Sequence, residues 1–345
     1  MSDEFLGLPI KDQADIFRKA EKDTGRSAQV LQKDVWVCWA LEQLFTIKTD
    51  VKMAFKGGTS LSKVYQVIDR FSEDVDITLD YRNLFPEMNP FEISRNKMNK
   101  TVRKELRELV KQHIHGVIFP SLQDSLNEIT KGKGKIKGND EEIYLHYPSG
   151  LDVGTGYMED QIKLEFGGCN AIEPSAPCEI KPDIAEIPFR IPLRFPKATV
   201  VVLSPKRTFW EKATLIHVAC SRPDKTDPHR ISRHWYDLYK LIGHDIGKKA
   251  LEDLELLRDV VKFKKAFFYY RDANYDACLS GEFRLIPDND SFFDAIQNDY
   301  KKMVDSGMFE TTPTVFKNII GALHKVEAQI NKNFTSQGCT KQMSL

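Results

Sequence analysis

The stretch from residue 51 to residue 60 combines residue types that could bind a phosphate group. Alternating apolar and polar residues over 51–56 predict a strand, which ends at Gly57 and Gly58, where backbone amides can approach a ligand closely. Thr59 or Ser60 can then cap a helix whose apolar residues recur at helical spacing up to residue 68. Because a helix N-terminus attracts anions, we expect residues 57–60 to bind phosphate.

Two acidic residues follow on what alternation predicts to be the next strand. Asp74, Asp76 and Thr78 share one face of this strand, and the apolar residues between them form the other face. Carboxylate oxygens are the ligands that hard divalent cations prefer. A pair of carboxylates beside a phosphate site therefore predicts that Asp74 and Asp76 bind a divalent metal ion.

A second strand, predicted over residues 161–166, also carries polar residues on one face. Lys163 and Glu165 alternate there with apolar residues that would point to the core. The segment from Glu142 to Tyr147 is typical of a partner strand, which would be joined to the strand at 161–166 through a turn that contains glycines. The polar face indicates function, and a surface salt bridge between strands is the structural alternative for the same two residues.

Two helices in the second half of the chain place charged residues beside apolar stripes. The first begins near Arg207, with Thr208 as its predicted N-cap and Glu211 at the capping-box position, and it continues through Lys212. The second contains Asp237, four residues after Arg233. An exposed ion pair worth a few tenths of a kcal/mol would account for that spacing.

Together these segments resemble the motifs of the nucleotidyltransferase fold, and in detail those of the AbiEii/AbiGii group of toxin-like nucleotidyltransferases. The resemblance covers roughly residues 31–242. It is carried by Gly-Gly-Thr-Ser at 57–60, by residues 70–76, by Lys163 and Glu165, by the helix at 207–217 and by Arg-x-x-Arg-His-x-Tyr-Asp-Leu at 230–238.

The resemblance implies a role for each candidate residue. Asp74 and Asp76 would bind Mg²⁺ in a two-metal site, with Mn²⁺ as an alternative, and Glu165 would be a third acid near the metals. Asp237 would be an acidic residue of the catalytic site, and either Glu165 or Asp237 would act as general base for the acceptor hydroxyl. The residues that would hold the nucleotide are Gly57, Gly58, Thr59, Ser60, Lys163, Glu211 and Lys212.

The resemblance also implies an activity. It predicts Mg²⁺-dependent transfer of a nucleoside monophosphate from an NTP to an RNA acceptor, with the 3′ end of tRNA as the expected site. The protein would then be the toxin of a toxin–antitoxin or phage-defence system, with a separate antitoxin protein as its partner. Two alternatives stay open, namely nucleotidylation of a protein hydroxyl and a non-catalytic nucleotide-binding interaction module.

Composition limits the remaining choices. The chain has 345 residues, and its 50 Lys and Arg residues equal its 50 Asp and Glu residues, so any surface for nucleic acid must be local. Six scattered cysteines without a Cys-x-x-Cys pair predict a reducing cytoplasm and no zinc site. We find no signal peptide and no run of apolar residues that predicts a membrane span.

The local basic candidate is the run of lysines at 131–137. Lys131, Lys133, Lys135 and Lys137 are predicted to lie in a solvated, mobile loop, or else to contact the phosphates of an RNA acceptor.

The predicted fold class is α/β (α+β), a nucleotidyltransferase-type mixed sheet flanked by helices, followed by a helical C-terminal domain. A long helix is expected over residues 92–115, and proline-rich wrapping over 169–205, in which Ala198–Leu203 would be the last edge strand. The predicted domains are residues 1–204, with the transferase core, and residues 205–345, which would contribute to the active site.

Overall fold

The computed structural model describes residues 3–72, 74–151, 161–189, 192–309 and 311–342. The chain divides into two compact units. The first comprises Met1–Tyr65, Phe71–Met88 and Val102–Leu203, and the second comprises Gln66–Arg70, Asn89–Thr101 and Ser204–Leu345. The main division thus lies one residue before the predicted domain boundary. The two short segments that join the second unit were not foreseen.

The strands lie in the first unit. They are β1 (Asp3–Glu4), β2 (Met53–Lys56), β3 (Asp74–Leu79), β4 (Lys135–Asn139), β5 (Glu142–His146), β6 (Gln161–Gly167), β7 (Ser175–Ile180), β8 (Leu193–Arg194) and β9 (Ala198–Leu203).

Helices occur in both units. They are α1 (Ile10–Thr24), α2 (Ala28–Thr46), α3 (Gly57–Lys63), α4 (Tyr81–Leu84), α5 (Arg95–Lys97), α6 (Arg103–His113), α7 (Phe119–Thr130), α8 (Pro205–Ser221), α9 (Ser232–Ile242), α10 (Asp245–Glu252), α11 (Leu254–Phe267), α12 (Asp290–Asp305) and α13 (Phe316–Gln342). Short 3₁₀ or π segments add Phe5–Gly7, Met98–Val102, Ile114–Ile118, Asp183–Glu186, Pro223–Lys225 and Tyr275–Leu279.

A seven-stranded mixed sheet forms the centre of the first unit, within the part of the chain that is described. Its strand order is β4-β5-β6-β3-β2-β9-β7. The pairs β3–β6 and β2–β9 are parallel, whereas the other neighbours are antiparallel. The predicted α/β fold class, a mixed sheet flanked by helices, is therefore confirmed.

Alternation explains which strand faces are buried. Val75, Ile77 and Leu79 of β3 are fully buried, as are Ile162 and Leu164 of β6. They join the core that the apolar face of α2 also enters. Since successive strand residues point to opposite faces, the polar residues between them are directed away from this core.

Several predicted elements differ in the structure. Helix α3 begins at Gly57 and ends at Lys63, so Thr59 and Ser60 lie inside the helix and do not cap it. The long helix predicted over 92–115 is present as a continuous helical run that begins at Arg95 and extends to Thr130, and π-helical segments within it join α5, α6 and α7. Such segments add a residue per turn and shift the apolar face, which a single 3.6-residue period does not describe.

The edges of the sheet also differ from prediction. Lys135 and Lys137 lie in the edge strand β4, so only the first part of the lysine run is a loop. Strand β9 lies between β2 and β7, and β7 is the edge strand. The sequence of β7 contains Pro177, a residue that an edge strand tolerates but that weakens any prediction of a strand.

The second unit is helical, as the sequence predicts for residues after 204. Helix α9 is at its core, and its residues Trp235 and Leu238 are fully buried. Helices α8, α10, α12 and α13 all contact α9. None of the helices among the described residues has the length and apolar content needed to cross a membrane.

Candidate active site

The polar face of β3 is extended by the strands on both sides of it. Asp74 is in register with Lys163 of β6, and Asp76 is in register with Glu165 of β6 and with Lys56 of β2. Residues that pair across neighbouring strands point to the same face of a sheet. The structure therefore brings four of the predicted residues together on one face and adds Lys56, which the sequence analysis had not singled out.

Gly57 marks the closest approach of the chain to this face. Its φ of +80° lies in the left-handed region, and a β-carbon built there would be 1.9 Å from Oδ2 of Asp76. No side chain fits in such a space, so glycine is required both by the backbone and by the neighbouring carboxylate. The start of α3 and the Asp76 carboxylate are thus packed directly against each other.

The hydroxyl groups predicted to bind phosphate are used within the protein. The Thr59 hydroxyl donates to the backbone carbonyl of Asp74, and the Ser60 hydroxyl donates to that of Gly57 at 2.9 Å. Both residues are buried, as is Gly58. These bonds attach α3 to the start of β3, and only the backbone N–H groups of this segment would be left to serve a phosphate.

Lys163 lies between two carboxylates. Its Nζ contacts Glu165 on the same strand, and it lies 2.9 Å from Oε1 of Glu142 on β5. Partial burial opposes a charge on Lys163, yet these hydrogen bonds raise its pKa above the usual lysine range. Lys163 is therefore firmly cationic on the face that carries Asp74 and Asp76.

Glu142 and Tyr144 are members of this site that the sequence analysis missed. The Tyr144 hydroxyl donates to Oε2 of Glu142 at 2.6 Å. Burial alone would raise the pKa of Glu142, but the hydrogen bonds from Lys163 and Tyr144 lower it below its usual range. The predicted pairing of residues 142–147 with β6 held the necessary signal, because alternation places Glu142 and Tyr144 on one face.

A charged cluster holds the far end of α3. Lys63, the last residue of α3, lies 2.6 Å from Oδ1 of Asp34 on α2 and 2.7 Å from Oδ1 of Asp183. The backbone N–H of Asp183 also donates to Asp34, at 2.7 Å. Burial raises the pKa of Asp34, although Lys63 acts against that shift. The cluster is structural, since it fixes a short helix whose other end packs on Asp76.

Asp237 is placed in the second unit, in contact with two cations. Arg70 donates to both carboxylate oxygens of Asp237 at 2.7 Å, and Nζ of Lys212 lies 2.9 Å from Oδ2. Asp237 has no exposed surface, so the expectation of an exposed ion pair is wrong. Burial alone would raise the pKa of Asp237, but the charges of Arg70 and Lys212 lower it below the usual range.

Lys212 and Glu211 lie on α8 as predicted, although the helix begins earlier. Its N-cap is Ser204, with Pro205 in the first turn, so the predicted capping box of Thr208 and Glu211 is wrong. Glu211 instead accepts from Nε of Arg207 at 3.3 Å, one helical turn before it. Burial lowers the pKa of Lys212 even though Asp237 is adjacent to it.

The carboxylates of β3 fit a divalent cation by their chemistry. Mg²⁺ is usually held by one or two protein carboxylates together with substrate phosphates and water. Asp74 and Asp76 supply two such groups on one strand face, and Glu165 is in register with Asp76. Among the described residues, including those of this site, no group of three or more His, Cys, Asp or Glu side chains is arranged to hold a metal ion.

The predicted residues are therefore divided between the two units. The first unit holds Gly57, Gly58, Thr59, Ser60, Asp74, Asp76, Lys163 and Glu165, whereas the second holds Glu211, Lys212 and Asp237.

Comparison with known proteins adds one finding. A family model described as "Nucleotidyl transferase AbiEii toxin, Type IV TA system" matches residues 39–328, a range that contains every candidate residue named above. No curated protein matches the chain.

Proposed function

Because the chain belongs to the AbiEii family of nucleotidyltransferase toxins from type IV toxin–antitoxin systems, we propose that it transfers a nucleoside monophosphate from an NTP to RNA, with the 3′ end of tRNA as the expected acceptor. Type IV systems pair such a toxin with a separate antitoxin, which is the partner we expect. The activity would depend on Mg²⁺, or on Mn²⁺ in its place.

One observation carries this proposal. Asp74 and Asp76 lie on a strand face in direct register with Lys163 and Glu165, and Gly57 brings the start of α3 against Asp76. A cation and several carboxylates on one rigid face are what binding of a metal–triphosphate complex requires, because the metal needs oxygen ligands and the phosphates need positive charge.

The chain's own residues would divide the work. Asp74 and Asp76 would hold Mg²⁺, which when bound neutralises charge on the phosphates. Lys163 would contact the triphosphate by exchanging Glu142 or Glu165 for a phosphate oxygen. Backbone N–H groups of Gly57 and Gly58 would bind the same phosphates, with the buried Thr59 and Ser60 keeping that segment in place.

Glu165 is the better of the two candidates for general base. Its side chain is 37% exposed, so an acceptor hydroxyl can approach it. Asp237 is fully buried, and both its oxygens are occupied by cations that stabilise the charged carboxylate. A carboxylate held in this way accepts a proton poorly. We therefore assign proton transfer to Glu165 and a positioning role to Asp237, which holds Arg70, four residues before Asp74 in the sequence.

The experiment that tests the function is transfer of label. Each α-³²P-labelled NTP is incubated with the protein and total cellular RNA, with total cellular protein, or with both, in Mg²⁺ or in EDTA. We expect label in the RNA, from one or a few NTPs, and only with the metal present. If only protein carries the label, the acceptor is a protein and the proposal of an RNA acceptor is wrong.

A matched pair of variants makes that result specific to the site. Asp76→Asn removes one metal ligand without changing side-chain size and should reduce transfer at least a hundredfold, because several kcal/mol of transition-state stabilisation is lost. Asp124→Asn makes the same change at an exposed position on α7 and should leave transfer unchanged. Transfer by Asp76→Asn within tenfold of the parent would contradict the metal assignment.

A further inference from the structure

A groove in the second unit combines positive charge with two tyrosine rings, one of which is exposed and the other half-buried. Its volume is about 700 Å³, and its walls include Arg222, Lys225, Tyr269, Tyr270 and Arg271. None of these residues belongs to the candidate active site or to the motifs recognised in the sequence. The arrangement is also unlike the lysine run at 131–137, which has no aromatic residues.

Two connections between helices build this groove. Arg222 and Lys225 directly follow α8, whereas Tyr269, Tyr270 and Arg271 directly follow α11. Asp272 joins the two connections, because it lies 2.6 Å from Nε of Arg222 and 2.5 Å from Nζ of Lys225. The walls are therefore held together by ion pairs, and the groove does not depend on a ligand for its shape.

The two tyrosine rings are each supported by an arginine. The guanidinium of Arg222 lies 4.0 Å from the centre of the Tyr270 ring, and that of Arg95 lies 4.2 Å from the centre of the Tyr269 ring. Such cation–π contacts fix the orientation of a ring. Tyr270 is nevertheless 40% exposed, and it is one of few large apolar side chains with that much surface among the described residues.

We propose that this groove binds single-stranded RNA. Aromatic rings that are held in place and open to solvent provide surfaces on which bases stack, whatever their sequence. Lys225 and Arg271, both exposed, would meet the phosphates between stacked bases. A groove for a protein segment would need apolar pockets and satisfied polar partners, and the walls here are mostly cationic and aromatic.

The inference extends the proposed function by giving the RNA acceptor a place to bind. The inference rests on the proposed function only in treating the bound RNA as the acceptor, because binding of RNA by the groove requires neither an NTP nor transfer. The two proposals can therefore fail separately.

The test is equilibrium binding, measured by fluorescence anisotropy with a 5′-labelled RNA of twelve nucleotides and mixed sequence, without NTP. Tyr270→Ala should weaken binding about tenfold, since stacking of one base contributes about 1–3 kcal/mol. Tyr270→Phe keeps the ring and should bind like the parent protein. Arg271→Gln should weaken binding and make the slope of log affinity against log salt less steep by about 0.7, the contribution of one phosphate contact on a single strand.

Two controls make the result decisive. Lys248→Gln removes an exposed charge elsewhere in the second unit and should have no effect on binding. Thermal unfolding of Tyr270→Ala should stay close to that of the parent, because the ring lies in a connection between helices and the change removes only its contact with Arg222, worth about 0.5–1 kcal/mol. If Tyr270→Ala binds within twofold of the parent, or if a mononucleotide competes as well as the twelve-nucleotide RNA, the groove is not a site for single-stranded RNA.

Discussion

At the scale of single residues, Gly57 and Asp76 determine each other's place. A side chain at position 57 would occupy the space of the Asp76 carboxylate, and the backbone there has a positive φ. We expect Gly57→Ala to displace Asp76 and to reduce nucleotide transfer about as much as Asp76→Asn does. The free energy of unfolding should fall by about 1–3 kcal/mol beyond the cost of the strained backbone.

Gly25 provides the matched control for that variant. Its φ is +73°, close to that of Gly57, but a β-carbon built there meets no atom within 4 Å. Gly25→Ala should therefore show only the backbone cost, about 1–2 kcal/mol, and should keep full activity. Chemical denaturation and transfer assays of both variants separate the two effects. Equal losses for both would show that the contact with Asp76 has no special importance.

Asp237 illustrates how burial changes the meaning of an ion pair. Asp237→Asn leaves the charges of Arg70 and Lys212 without their partner in a buried place, so we expect the free energy of unfolding to fall by about 3–5 kcal/mol. Asp245→Asn breaks an exposed pair with Lys248 and should change the free energy of unfolding far less than Asp237→Asn does. A loss below 1 kcal/mol for Asp237→Asn would contradict the positioning role.

The sequence analysis identified most of the residues that share the polar face of β3 and β6, but not their surroundings. Asp74, Asp76, Lys163 and Glu165 were found because strand alternation is a local property and shows which residues share a face. Glu142 and Arg70 were missed because each acts on a residue distant in sequence, namely Lys163 and Asp237. Only the strand register and the packing of α9 bring those partners together.

At the scale of elements, regular strands were predictable and irregular ones were not. Strands β3, β5, β6 and β9 agree closely with prediction because each alternates or is continuously apolar over five to seven residues. Strand β7 contains Pro177 and buries only Ile180, so its sequence lacks the core-facing pattern that distinguishes a strand from a loop. The start of α3 was misplaced because Gly57 tolerates a backbone that other residues avoid.

His217 connects α8 to two loops, and it makes stability depend on pH. Its Nδ1 accepts from the backbone N–H of Arg284 at 3.0 Å, so its Nε2 carries the proton and donates to the carbonyl of Asn274 at 3.1 Å. The folded state thus needs a neutral ring. Burial lowers the pKa of His217 below the usual value, which means that the unfolded chain binds the proton more readily.

The consequence is a loss of stability in mild acid. The contribution of neutral His217 to the free energy of unfolding should be complete above the unfolded pKa of about 6.5. It should decline as the pH falls from there towards the lower pKa of the folded state. His217→Gln can keep both hydrogen bonds but cannot titrate, so its free energy of unfolding should change less between pH 7 and pH 5. Parallel curves of unfolding free energy against pH for the parent and for His217→Gln would refute the assignment.

At the scale of the whole molecule, zero net charge means that nucleic acid can be attracted only by local surfaces. Two distinct surfaces of this kind lie within the part of the chain that the structure describes. The groove of the second unit combines cations with aromatic rings, whereas the lysine run has no aromatic residues: Lys131, Lys133, Lys135 and Lys137 are all exposed and lie in or beside the edge strand β4. Stacking depends weakly on salt, but phosphate contacts depend on it strongly, so the two contributions can be measured apart.

Replacing the four lysines by glutamine therefore gives a prediction that differs from that for Tyr270→Ala. If the lysines contact RNA phosphates, the slope of log affinity against log salt should become less steep by about 3, because each phosphate contact on a single strand contributes about 0.7. NTP binding should not change. Tyr270→Ala should instead lower the affinity at every salt concentration and leave the slope nearly as it was.

The structure also provides the alternative explanation for these lysines. Charged residues on an edge strand prevent its free backbone groups from pairing with another molecule, and Lys135 and Lys137 flank the buried Ile136 in the position where such protection is needed. If protection is their only role, the glutamine variant should keep the parent's salt slope and instead form dimers or larger species with rising concentration, as light scattering would show. An altered slope in a protein that remains monomeric would assign the lysines to RNA. An unchanged slope together with self-association of the glutamine variant would mean that, of these two surfaces, only the groove of the second unit is a candidate for binding RNA.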